Sequence, residues 1–224
     1  MKKIVFMLGL LCALFFLVAC GEMDYEQTAR GIIESEEEIR ENIQSDGGWM
    51  VHFDSVEEMI LSDIFSTAIV RVEILDQRTE RINTRLSGEA EYSIATISRA
   101  LVLETFYGTI QSGEIIEIRQ RGGQIGDVRE IFWRNERYLE IGEDLILVLD
   151  YGLTNSNDEP LPASMPNHVQ TIYHTSGFAA DESLMAAARR RGGEQIELEA
   201  VHPENDLTLT LGDLMRIAEQ NDRR

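Results

Sequence analysis

The sequence predicts a mainly β domain with a few short flanking helices. Two observations lead there. Runs of period-two apolar alternation outnumber the 3.6-period helical runs. They also follow one another as short strands separated by turns rather than alternating with helices, which favours an antiparallel barrel or sandwich over a βαβ sheet.

Taken in order, the first element is a helix after Phe53. Ser55 with Glu58 three residues on has the pattern of a capping box, and Val56, Met59 and Ile60 would face a core. The spacing ends that helix near Ser62-Asp63. From Thr67 to Leu75, Ala68, Val70, Val72 and Ile74 alternate with Arg71 and Glu73, the mark of a strand with one wet face, so Ile69 is expected outward. Residues 76–90 are polar and are expected to form a long loop. Tyr92 to Phe106 reads as a long, bent strand, and Gly108 and Gly113 bracket a turn. Glu114 to Gln120 is a strand with Ile116 and Ile118 on one face, broken at Gly122-Gly123.

Asp144 to Asp150 contains five consecutive apolar residues, Leu145 to Leu149, which predicts a strand covered on both faces. Residues 155–166 are a loop, and Val169 to His174 is a strand. Asp181 to Arg191 is a helix stopped by Gly192-Gly193. Glu194 to Val201 alternates, with Ile196, Leu198 and Ala200 inward. Thr210 with Asp213 would cap a last helix whose apolar face is Leu211, Leu214, Met215 and Ala218.

Ahead of this lies a different kind of sequence. Lys2 and Lys3 precede an uncharged apolar run from Ile4 to Ala19, the pattern of a signal peptide. The run is short for a membrane-spanning helix, which needs roughly 20 apolar residues. It ends in Leu17-Val18-Ala19-Cys20, which resembles the lipobox of bacterial lipoproteins. The resemblance implies that Cys20 receives a diacylglyceryl group, that cleavage occurs just before it, and that Cys20 becomes an acylated N-terminus on the outer face of the cell membrane. Two acyl chains anchor stably where one does not. The expected organisation is a signal peptide over 1–19, a lipidated N-terminus and acidic spacer over 20–48, and one globular domain over 49–224. The only other cysteine, Cys12, lies inside the leader, so a processed chain has neither a disulfide nor a free thiol.

Removing residues 1–19 takes away Lys2 and Lys3 and no acid, moving the formal net charge from −20 to −22. Such a charge argues against nucleic-acid binding. The spacer, Gly21 to Gln44, is rich in Glu but carries Ile32, Ile33, Ile39 and Ile43, so it reads as a spacer helix or a partly disordered tether; Ser45-Asp46-Gly47-Gly48 ends it.

Three stretches resemble small secreted or lipid-anchored proteins of Gram-positive bacteria. They are Phe53 to Met59; Tyr107-Gly108-Thr109-Ile110 through Gly122-Gly123; and Leu139-Glu140-Ile141-Gly142-Glu143-Asp144 through Leu147. The barrel of those proteins is similar to the netrin-like and tissue-inhibitor-of-metalloproteinase modules. Over about residues 53–150 this implies an OB-like β-barrel. Tyr107 stands where that group usually has Lys, and Leu145 where it usually has Tyr. The animal inhibitors of this type hold metal with a free N-terminal Cys amine, which an acylated Cys20 lacks, so inhibitor activity does not carry over.

Motifs for chemistry are sparse. His168 and His174, six apart on a strand, would be about 20 Å apart, too far to share a metal. His52 and His202 stand alone. Arg121 to Gly126 is glycine-rich but opens no helix, which makes it a turn rather than a phosphate loop. Residues 150–159 lack the spaced acids and closing Glu of an EF-hand. Arg189-Arg190-Arg191 is a basic cluster that answers acids within the domain or docks an anionic partner. No catalytic residue, metal or cofactor is assigned. The expected role is a non-catalytic surface binding or adaptor module of unknown ligand. The alternatives are an extracytoplasmic enzyme acting on cell-wall or extracellular substrate and a small solute-capturing receptor.

Overall fold

Two sixteen-residue strands form the backbone of the domain: β1 (Ala68–Asn83) and β2 (Tyr92–Tyr107), paired antiparallel from Ile69↔Tyr107 to Asn83↔Tyr92. The structure is a computed structural model. It describes residues 53–61, 68–130, 137–165, 170–179 and 181–222, all within the unit Ile43–Arg224. The lipobox residues Leu17, Val18, Ala19 and Cys20 lie outside the described residues, as does the acidic spacer.

The expected loop over residues 76–90 is instead mostly strand. β1 runs on to Asn83, and only residues 84–91 turn the chain. Polarity misled here because the distal half of the hairpin pairs polar residues across the strands. Arg99 bonds Asp76 at 2.7 Å, Arg78 bonds Glu117 at 2.7 Å, and Gln77 donates to Ser98 at 2.9 Å. Register shifts at Ile69/Val70, Arg71/Val72 and Ile74/Asp76 add local twist, as bulges do.

β2 continues the sheet to β3 (Ile115–Arg121), and the other edge of β1 pairs with β6 (Asp144–Leu149), which pairs in turn with β8 (Ile172–His174). A two-residue strand, β7 (Ala163–Ser164), lies parallel to β3, so the strand order is β7-β3-β2-β1-β6-β8 and the sheet is mixed. That corrects the all-antiparallel expectation. The described strands form a mainly β mixed sheet with short helices rather than a continuously paired closed barrel. One further bridge joins the end of β6 to β7: Asp150 and Ser164 exchange backbone hydrogen bonds of 2.6 and 2.9 Å. Small hairpins complete the β structure: β4 (Gly123–Ile125) with β5 (Val128–Glu130), and β9 (Glu197–Leu198) with β10 (Leu209–Thr210).

The apolar run of β6 is covered on both faces, as its composition predicts. Leu145, Leu147 and Leu149 pack with Val70, Val72, Ile74, Ala100, Ile116, Ile118 and Ile172. Ile146 and Val148 pack on the opposite face among helical residues, including Leu184, Leu211, Leu214 and Ile217. Ile69 belongs to this second core and is fully buried, against the expectation that it faces water. Alternation reports which residues share a face. It cannot report that helices from the far end of the chain cover the other one.

The helices follow their caps. In α1 (Val56–Leu61) the Ser55 hydroxyl accepts from the Glu58 N–H at 3.1 Å, while the Glu58 carboxylate takes the Asp54 N–H at 2.9 Å. Val56 and Met59 are buried; the Ile60 side chain lies outside what is described. α2 (Leu184–Arg191) starts later than expected, at the Ser183 cap, and stops at Gly192, whose φ of +60° suits glycine. Thr210 and Asp213 form the expected capping box of α3 (Leu211–Asn221). The 194–201 alternation becomes mostly a 3-10 turn (Gly193–Gln195) and the short β9. Among the described residues, no helix is long and apolar enough to cross a membrane.

Candidate binding site

Three polar constellations sit on the strands, and only one is left with unmet bonding capacity. The first is Arg71, 1% exposed on β1. Its Nε and Nη2 donate to the two Asp144 carboxylate oxygens at 2.8 and 2.5 Å. Its Nη1 reaches the Glu182 carbonyl at 2.6 Å and its Nη2 the Ala179 carbonyl at 3.0 Å. The bidentate pair and two carbonyls satisfy the guanidinium, which ties β1 and β6 to the segment entering α2. Glu104 on β2 completes that junction by accepting from the Ser183 hydroxyl at 2.7 Å and the Leu184 N–H at 2.8 Å, a carboxylate at a helix N-terminus.

The second is a clasp between two loops. Asn83 donates to the Ser156 hydroxyl at 3.0 Å and accepts from the Arg85 and Glu91 N–H groups. The Asn155 side chain accepts from the Asn157 and Glu159 N–H groups and donates to the Glu159 carboxylate at 2.7 Å. Loop 151–162 therefore spends these acceptors on its own backbone. Among the described residues, no group of three potential ligands converges on a metal position.

The third lies on the outer face of β3, β7 and β6. The interior alternation of Ile118, Ala163 and Leu149 sends Arg119, Ser164 and Asp150 to the other face, in one row across three strands. Arg119 is 8% exposed, yet its Nη1 has no hydrogen-bond partner. Burial, with Arg121 nearby, lowers the Arg119 pKa to about 10, partly opposed by Asp150. Burial likewise raises the Asp150 carboxyl above the ordinary carboxylate range, and Arg119 opposes that rise. Each group feels the other's charge, but no ion pair joins them. Among the described residues, the side chains of Ser164 and Asp150 also make no hydrogen bond.

The residues singled out in the sequence are scattered. His168 and His52 lie outside the described residues. His174 sits half-buried on β8, and His202 Nδ1 accepts from the Glu204 N–H. Arg190 pairs with Glu182, so that part of the basic cluster answers an acid within the domain. The glycine-rich stretch, expected to be a turn, is mostly strand: Arg121 ends β3, Gly123–Ile125 is β4 of the β4–β5 hairpin, and only Gly122 lies between them. A Cβ on Gly122, at φ +90°, would meet the Glu130 carbonyl oxygen at 2.7 Å. Sequence reasoning missed Arg71, Asn83 and the Arg119 row, because each becomes a site only when distant strands align.

No family model, curated protein or solved structure matches this chain. Functional inference therefore rests on the residues themselves.

Proposed function

We propose that this chain is an exported lipoprotein, tethered to the outer face of a bacterial cell membrane through Cys20, whose acidic domain is a non-catalytic binding module. The tether reading is carried by Leu17-Val18-Ala19-Cys20 at the end of an uncharged apolar run. Acyl chains on Cys20 supply the membrane affinity, and the processed chain, at a formal net charge of −22, is repelled by an anionic lipid face.

The binding reading draws on the end of the long hairpin. Leu86 and Tyr92 are 57% and 59% exposed there, beside the Asn83–Ser156 clasp that holds loops 84–91 and 151–162 together. Exposed apolar side chains on a backbone pinned by hydrogen bonds suit partner contact, since little entropy is lost on binding. An OB-like barrel is consistent with the parallel β3–β7 pair and the Asp150–Ser164 bridge, which link the strands in the circuit β1-β2-β3-β7-β6-β1. In such folds the loops corresponding to 84–91 and 151–162 flank the ligand face.

Metabolic labelling with a fatty acid tests the tether. The wild-type chain becomes labelled and fractionates with membranes, whereas Cys20→Ala remains unlabelled. Equal labelling of both removes the assignment.

A further inference from the structure

We propose that the row Arg119, Ser164 and Asp150 is a binding site for a small ligand that carries a carboxylate next to an N–H donor. This rests on the binding-module reading of the domain and is independent of the lipid tether.

The argument begins with cost. A guanidinium removed from water without a full set of acceptors is unfavourable, and buried polar groups are nearly always satisfied by protein, water or a bound ion. Arg119 breaks that rule at Nη1 in a domain that gives every guanidinium nitrogen of the buried Arg71 a partner. A planar fork of this kind matches carboxylate or phosphate oxygens. Ser164 lies in register beside Arg119 on β7, and Asp150 bridges Ser164 from the far side. At two strand spacings, the Arg119 and Asp150 backbones are roughly 10 Å apart. The row thus presents a cation, a hydroxyl and an anion, in that order.

The order selects the ligand. A phosphate satisfies Arg119 but brings extra negative charge toward Asp150. A simple carboxylate satisfies Arg119 and leaves Asp150 alone. A carboxylate with an adjacent amide or ammonium N–H meets both ends, and the Ser164 hydroxyl can serve either group. Peptide C-termini and free amino acids share this chemistry. Ser164 and Asp150 are half-buried rather than sealed, so the row has an opening. β7, two residues long and held by two residue pairs on one side and one bridge on the other, is a weakly held strand beside it.

The test is titration of the full-length protein in detergent with N-acetylglycine, alanine, acetate and inorganic phosphate, read by calorimetry. N-acetylglycine is expected to saturate. Acetate, which loses one charge-assisted hydrogen bond, should bind at least about tenfold more weakly. Arg119→Met should abolish binding, and Asp150→Ala should reduce N-acetylglycine to the level of acetate. If Arg119→Met does not fold, Arg119→Lys keeps the charge without the fork and should still cost at least about tenfold. Alanine matching N-acetylglycine points to free amino acids as ligands; alanine binding more weakly points to peptide C-termini; both support the site. Phosphate binding tighter than N-acetylglycine, unchanged affinity in folded Arg119 variants, or no saturation by any probe overturns it. Fatty-acid labelling of Cys20 is unaffected by any of these results, so failure of the site and failure of the tether are read separately.

Discussion

Two aspartates mark the two ends of β6, and each faces a buried arginine on the same side of the sheet. At one end Asp144 grips Arg71 bidentately, and two backbone carbonyls accept from its Nη1 and Nη2. At the other end Asp150 faces Arg119 across β7 without touching it. The first arrangement leaves no guanidinium nitrogen without a partner in the fold and so acts as a staple. The second keeps capacity in reserve, at an energetic cost, in a place where the sheet is held by its shortest strand. Burial alone therefore does not assign a role; whether each guanidinium nitrogen has a partner separates the two arginines.

Mutations sharpen that contrast. The largest effect is expected from Arg71→Met, which strands the Asp144 carboxylate and should cost about 3–5 kcal/mol by chemical denaturation. Adding Asp144→Leu should recover much of the loss, because an apolar pair of similar volume is often neutral. If the single variant costs under about 1 kcal/mol, as surface changes do, the staple is not one.

The strand between the two aspartates gives the next effect. Leu147→Ala should cost about 2–5 kcal/mol through lost burial and a cavity. Ile69→Ala should fall in the same range, since Ile69 is packed under the helices. A clearly cheaper Ile69 variant would mean that the helical layer covers β1 loosely.

Arg119→Met is expected to move stability the other way, or not at all, staying within about 1 kcal/mol of the wild type or exceeding it. A loss as large as that of Arg71→Met would erase the difference between the two ends of β6.

The smallest effects concern pH. Burial opposes ionisation of Asp213, but hydrogen bonds from Thr210 and the Arg216 pair outweigh it and hold the carboxyl below the ordinary range. Its stabilising contribution is present above the unfolded-state pKa and is lost as pH falls through the lower folded value. Asp150 has the opposite sign. Its raised folded value favours the native state when protonated, a contribution present below the unfolded pKa and lost as pH rises through the folded one. Denaturation midpoints measured across the acid range should therefore tilt in opposite directions for Asp213→Asn and Asp150→Asn. Parallel profiles would contradict the assignment of Asp150 to a desolvated row.

What could be read along the chain was short-range. Ser55 with Glu58 and Thr210 with Asp213 specify helix starts within four residues, because the capping hydrogen bonds close within one turn. Leu145 to Leu149 announces a doubly covered strand because no position can face water without exposing an apolar side chain. Gly192 ends α2 where a left-handed backbone is needed.

Long-range facts were not legible. The polar distal half of β1 looks like a loop until Asp76, Gln77 and Arg78 find partners on β2 and β3, 21 to 39 residues away. Ile69 looks outward until α2 and α3 arrive over it. Arg71 and Asp144 are 73 residues apart, and neither predicts the other. The sequence by itself determined a mainly β chain with its caps and its most apolar strand, since those depend on periodicity and on neighbours in the chain. Only the tertiary structure decided which buried charges are satisfied, because the energy of a charge in a protein interior depends on atoms that strand pairing brings within about 3 Å, and chain spacing carries no record of that.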